Sequence, residues 1–196
     1  MSDAVRENGV IVAIDGPSGA GKSSLTKLLA RRLGYIHIDT GAMFRAVALV
    51  AKRAGIASDD DAGLAELCRT LEITFVRDGE SCRVFANGED VSREIRTEEI
   101  GLLTSAISAR KPVRAALLSM QRAMGAKGGV ILEGRDIGTV VFPDAEVKFF
   151  LSASAEERGR RRYLELAARG DSATLEETVA KVIQRDRQDE GREHAP

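Results

Sequence analysis

Residues 16–23 read GPSGAGKS, which fits the spacing G-x-x-x-x-G-K-[ST] with Gly16, Gly21, Lys22 and Ser23 at the fixed positions. These residue types suit a polyanion. Gly16, Gly19 and Gly21 let the backbone wrap so that successive N–H groups point inward at one phosphate. A helix starting at the end of the run adds its positive N-terminal end. Lys22 is placed to reach the β- and γ-phosphates of a nucleotide as a point charge, and the Ser23 hydroxyl to ligate Mg²⁺. The expected ATP contacts are Gly16, Pro17, Ser18, Gly19, Ala20, Gly21, Lys22, Ser23 and Ser24.

A second chemical feature is arginine in the last third of the chain. Arg158, Arg160, Arg161, Arg162 and Arg169 fall close together, followed by Arg185, Arg187 and Arg192. Alone, such a run reads as a solvated helix face. Beside a phosphate loop it has another use. Bringing two phosphorylated molecules together sets like charges about 4 Å apart, and each such pair costs on the order of 4 kcal/mol at an effective dielectric near 20. Arginine forks on a mobile segment closing over the donor would offset this and exclude water. His37 and His194 are the histidines, and neither looks like a base. A phosphate acceptor needs none, because its second ionisation lies near pH 6. The arginines therefore favour a phosphate acceptor over a hydroxyl, which would usually want an aspartate in reach.

The elements that must position these residues read as α/β. Val10–Ile14 is a continuous β-branched run, as in a strand buried on both faces of a parallel sheet. Further strands are expected at 35–38, 130–133 and 147–151, with helices at 23–33, 41–54 (Thr40 as N-cap), 62–71, 97–109 and 113–124, and helix again after 151 with a break at 169–172. Residues 72–77 and 82–86 alternate in polarity and are bounded by Asp78-Gly79 and Asn87-Gly88, which predicts small antiparallel hairpins. Strands separated by helices imply parallel βαβ units.

Bulk properties set the bounds. The chain has 196 residues and a formal net charge of −1, which provides no overall field for nucleic acid or a membrane. Cys68 and Cys82 form no CxxC pair and read as free thiols of a reducing compartment. No signal-like or membrane-length apolar run is present in the sequence, so a cytoplasmic protein is expected.

The sequence resembles the cytidylate kinases, nucleoside monophosphate kinases of the P-loop class. The resemblance rests on IDGPSGAGKSS at 14–24, IDTGAMFRAVA at 38–48, GEDVSREIRT at 88–97, EGRDIGTVVFPDA at 133–145 and RDRQDEGREHAP at 185–196. It implies a three-layer P-loop kinase fold with a parallel central sheet, a small antiparallel insert and an arginine-rich helical lid. The core would comprise 1–71 and 97–153, the insert 72–96, the lid 154–172 and a return helix 173–196. The implied activity is transfer of the γ-phosphoryl of ATP, with Mg²⁺, to CMP or dCMP. Lys22, Arg135, Arg158 and Arg162 would be the catalytic cations. Arg45, Arg135 and Arg192 look like clamps on the acceptor phosphate, with Thr40 beside it. Ser105, Arg114 and Asp136 look like cytosine readers, and Arg185 and Asp189 like ribose contacts. Asp136 could accept from the N4 amino group, and an arginine could donate to O2 and N3. Uracil reverses that pattern and would leave buried groups unpaired. Asp15 and Glu133 end two adjacent strands and could hold Mg²⁺ waters or be ordinary strand-end acids.

The family pattern continues past Pro196 with a further strand and helix that help flank the donor adenine. The resemblance thus implies four parallel strands here rather than five, an exposed sheet edge and weaker ATP binding. Competing readings are a small P-loop kinase for UMP or a non-nucleotide acceptor, and a catalytically weak nucleotide-binding module. The expected partners are ATP and CMP or dCMP, with no nucleic acid and no membrane, and the protein is expected to be a monomer.

Overall fold

The computed structural model describes residues 6–78, 81–168, 170 and 172–191. At its centre lies a sheet of four parallel strands in the order β2-β6-β1-β7: β1 (Ile11–Asp15), β2 (Ile36–Asp39), β6 (Val130–Gly134) and β7 (Val147–Phe150). Every residue of β1 and β6 is buried, as their unbroken apolar runs demand. The side chains alternate between two cores. Ile11, Ala13, Val130 and Leu132 face the larger one, whereas Val12, Ile14 and Ile131 face a smaller one with Ala30, Leu25 and Leu29 of α1 (Lys22–Leu33).

The larger core is built by α2 (Thr40–Arg53), α3 (Asp61–Thr70), α4 (Glu98–Ile107) and α5 (Lys111–Gly125), with apolar residues of the second sheet. That sheet is antiparallel, in the order β3 (Ile73–Asp78), β4 (Ser81–Ala86), β5 (Glu89–Asp90). Asn87 (φ 49) and Gly88 (φ 82) form the two-residue turn between β4 and β5, where both central residues need positive φ. Arg53 ties the second sheet to α2 by pairing with Glu89 and Glu94 at 2.8 and 2.9 Å. The chain ends in two packed helices, α6 (Ala155–Ala167) and α7 (Leu175–Glu190), the latter opened by a capping box of Thr174 and Glu177.

Three details depart from the sequence reading. Asp39, not Thr40, caps α2 by accepting from the Ala42 N–H; the Thr40 hydroxyl instead donates across the sheet to the Glu133 carbonyl at 2.7 Å. α5 begins at Lys111, ahead of Pro112, because a proline is tolerated in the first turn, where its missing N–H has no helical partner. A π-type turn, Ile137–Val141, follows β6 and was not foreseen. β7 is the edge of the central sheet, and its Phe149 and Phe150 are 50% and 72% exposed. Among the described residues no helix is long and apolar enough to cross a membrane.

Candidate active site

The loop of residues 16–21 joins β1 directly to α1. Gly16 (φ 142) lies so close to the backbone just after β7 that a Cβ would sit 2.0 Å from the Leu151 carbonyl oxygen. Gly21 (φ 99) opens α1 with no side-chain cap and no acid in the first turn, leaving the first helical N–H groups for an anion. Lys22 is buried and its Nζ donates to the carbonyls of Gly16 and Pro17 at 2.7 and 2.8 Å, so the ammonium lies folded back over its own loop. Burial brings its pKa down to about 8; Arg135 adds to this, and Glu133, Asp39 and Asp15 oppose it. The Ser23 hydroxyl donates to Glu133 Oε2 at 2.9 Å, while Ser24 is exposed on the next position of α1.

The two strand-end acids separate clearly. Asp15 accepts from the Ile137 and Gly138 N–H groups at 2.8 and 2.7 Å, so both its oxygens anchor the turn after β6. That leaves it an acid of the scaffold. Glu133, 3% exposed, bonds Ser23 and faces the phosphate loop. A serine hydroxyl and one carboxylate beside a triphosphate cradle fit Mg²⁺, which is usually held by one or two carboxylates together with substrate phosphates.

Asp15 thereby also fixes Arg135 and Asp136, the residues just before the anchored amides. Arg135 donates to Asp189 Oδ2 on α7 at 3.0 Å. Asp136 pairs with Arg114 of α5 at 2.5 Å, and the Arg114 guanidinium lies 5.7 Å from the Phe44 ring centroid. The expected base readers Arg114 and Asp136 are thus joined, with side chains 14% and 15% exposed. Arg114 also donates to the Ser108 carbonyl, and Ser108 in turn donates to the carbonyl of Ser105, whose hydroxyl donates back to Gly101 at 3.4 Å.

Arg45 on α2 is half-buried and donates to the Ile95 carbonyl at 3.2 Å. Its pKa is held below the usual guanidinium value by burial; Asp39 opposes this, and Arg96, Arg162 and Arg135 push it further down. Arginines from the turn at 94–96, from just after β6 and from α6 therefore lie near enough to Arg45 for their charge to bear on it. Arg96, which stands in the quoted REIRT stretch directly before a helix cap and in a segment otherwise read as insert, was not among the expected site residues, yet its charge bears on Arg45.

The arginines of α6 divide. Arg158, 4% exposed, forks onto Asp186 of α7 at 3.0 and 2.5 Å and donates to the Ser18 carbonyl of the phosphate loop. Arg161 reaches the Gly19 and Ala20 carbonyls at 3.4 and 3.5 Å. Arg162 pairs with Glu165 on its own helix and is half exposed. On α7, Arg185 and Asp189 lie four residues apart and are both half-buried. Arg192, an expected phosphate clamp, lies outside the described residues.

A parallel sheet feeding a glycine loop, with a lysine and serine opening the next helix and two arginines of α6 donating to the loop carbonyls, defines a P-loop phosphotransferase. Comparison with known sequences gives the family. The cytidylate kinase family model matches residues 12–196. A cytidylate kinase of Geobacter sp. (strain M21) is 91% identical over 192 residues, covering 98% of this chain and 82% of that protein. That of Geobacter sulfurreducens is 72% identical over 196 residues, covering 100% of this chain and 84% of that protein. That of Syntrophotalea carbinolica is 60% identical over 187 residues, covering 95% and 80%. The chain belongs to the cytidylate kinase family.

Proposed function

We propose that the protein transfers the γ-phosphoryl group of ATP, bound with Mg²⁺, to CMP or dCMP, giving ADP and CDP or dCDP. The observation that carries the acceptor is the joining of Arg114 to Asp136, in a chain where the charges of Arg96, Arg135 and Arg162 bear on the half-buried Arg45. A phosphate bound at Arg45 would offset that repulsion. A pyrimidine set edge-on against the joined Arg114 and Asp136 would meet one donor fork and one acceptor, the pattern that cytosine complements and uracil reverses.

The residues divide the work by charge. The loop N–H groups and Lys22 hold the donor phosphates; to do so, Lys22 turns from the Gly16 and Pro17 carbonyls to the β- and γ-oxygens. Ser23 and Glu133 would hold Mg²⁺, which when bound would neutralise charge on the donor phosphates. An oxygen of the acceptor phosphate attacks the γ-phosphorus as the bond to the β,γ-bridging oxygen breaks, and that oxygen leaves on ADP. No base is required, because the attacking oxygen is already anionic at neutral pH. Arg135 and Arg162 would turn from Asp189 and Glu165 to the phosphates between donor and acceptor, whereas Arg158 holds α6 and α7 onto the phosphate loop through Asp186 and Ser18. Arg185 and Asp189 are the ribose contacts, Thr40 and Ser105 line the acceptor side, α6 serves as the lid and the antiparallel sheet as the acceptor-side flap.

The test is turnover of CMP, dCMP, UMP and AMP with ATP and Mg²⁺, by wild type and by Lys22→Ala. CMP and dCMP should exceed UMP at least about tenfold in kcat/KM, and Lys22→Ala should be inactive while remaining folded. Equal use of UMP, or activity of Lys22→Ala within tenfold of wild type, would refute the reading.

A further inference from the structure

His37 has no part in the chemistry above. It is the one histidine among the described residues, and it lies in β2, two residues before the Asp39 cap. Its side chain is 9% exposed. Nε2 lies 2.8 Å from Glu133 Oε1, and the other oxygen of the same carboxylate, Oε2, accepts from Ser23. Nδ1 is buried and has no hydrogen-bond partner. Beside the ring is a cavity of about 30 Å³ lined by Ser23 and Lys27 of α1, Asp39, Arg96, and Phe75, Cys82 and Val84 of the antiparallel sheet.

The tautomer follows from these contacts. A carboxylate is acceptor-only, so the proton of the short contact is on Nε2. Nδ1 then presents a lone pair rather than a buried unsatisfied N–H. The chain of donors runs one way: His37 Nε2–H to Glu133, and Ser23 O–H to Glu133. Both oxygens of a nearly fully buried carboxylate are thereby held, and the Ser23 oxygen keeps its lone pairs for a cation. Without His37, Oε1 would have Asp39, its strand register partner and a half-buried carboxylate, as a like-charged neighbour. Glu133 would then have reason to rotate away from Ser23.

We propose that His37 is a positioning residue for the metal site: its Nε2–H locks the Glu133 carboxylate in the orientation that aims Ser23 and Glu133 together at the cation of the bound nucleotide. This rests on the reading that the glycine loop binds ATP with Mg²⁺. Partners one step removed from metal ligands typically change metal affinity about 10–100-fold when lost.

The experiment is Mn²⁺ affinity of the protein complexed with a non-hydrolysable ATP analogue, read from the paramagnetic resonance of free Mn²⁺. It compares wild type with His37→Leu, His37→Asn and His37→Gln, alongside analogue affinity in chelator and KM for CMP. Glutamine places an amide donor near the Nε2 position; leucine and asparagine do not. Leucine and asparagine variants should bind Mn²⁺ about tenfold or more weakly, the glutamine variant within about threefold of wild type, and metal-free analogue affinity and KM for CMP should move less than about threefold in all. Should His37→Leu not fold, His37→Asn carries the comparison. Wild-type Mn²⁺ affinity in the leucine or asparagine variant overturns the proposal, as does a glutamine variant as weak as leucine, or parallel loss of metal-free binding. Wild-type protein that binds analogue and Mn²⁺ but fails to phosphorylate CMP refutes the acceptor reading and leaves the His37 result to stand.

Discussion

Replacing Arg114 by methionine separates two jobs that the Arg114–Asp136 pair performs. Methionine keeps much of the aliphatic stem but removes the charge and the fork, including the guanidinium over Phe44. Asp136, 15% exposed, is then left without its 2.5 Å partner. Breaking a buried ion pair from one side costs about 3–5 kcal/mol, and the residual exposure places this case near the lower end. For a domain of this length about 3 kcal/mol corresponds to a fall in thermal midpoint of about 6–12 °C. Asp136→Asn should cost less, since an amide can stay buried with a hydrogen bond. The double variant Arg114→Met/Asp136→Asn should be more stable than Arg114→Met, with a coupling of about 1–3 kcal/mol in a double-mutant cycle. Catalysis should not recover with stability. Both single variants and the double should lose about ten- to 150-fold of the preference for CMP over UMP, the equivalent of one charge-assisted bond of about 1.5–3 kcal/mol. The assays are thermal unfolding and kcat/KM for the two acceptors. A double variant with restored stability and wild-type discrimination would show that the pair is a strut of the loop and does not read the base.

The lowered pKa of Lys22 predicts a pH dependence of donor binding. As pH rises through about 8 the unliganded protein loses the Lys22 proton, while the bound phosphates require it, so binding takes up a proton and ATP affinity should fall by about tenfold per pH unit above that point. Calorimetry between pH 7 and 9.5 checks this, and a flat profile would refute it. Gly16→Ala should lower the thermal midpoint by about 6 °C or more, because its Cβ would meet the Leu151 carbonyl oxygen at 2.0 Å on a backbone with φ 142; an unchanged midpoint would show that the loop relaxes freely.

What was legible in the sequence was local. GPSGAGKS is contiguous, and its glycines carry their backbone requirement wherever the chain goes. The β-branched runs of β1 and β6 announce burial on both faces, and Asn87-Gly88 announces its turn, because each depends on the residues themselves and their near neighbours. The family was legible for the same reason, in short unbroken stretches. What only the tertiary structure decided was which long-range partner each polar group takes. The sheet order β2-β6-β1-β7 puts the ends of β2 and β6 side by side. Glu133 thus lies between His37, 96 positions away, and Ser23, 110 away, in a contact that no spacing rule contains. The same adjacency draws the Thr40 hydroxyl to Glu133 and leaves the helix cap to Asp39. Asp15 and Glu133 looked alike as acids at strand ends. Asp15 faces the two N–H groups of the turn after β6, and a buried carboxylate bonds the nearest donors available, so it became scaffold. Within one run of arginines, the packing of α6 on α7 buried Arg158 against Asp186 and left Arg160 exposed, because residues two apart on a helix point to different faces, and the second helix determines which face is inside.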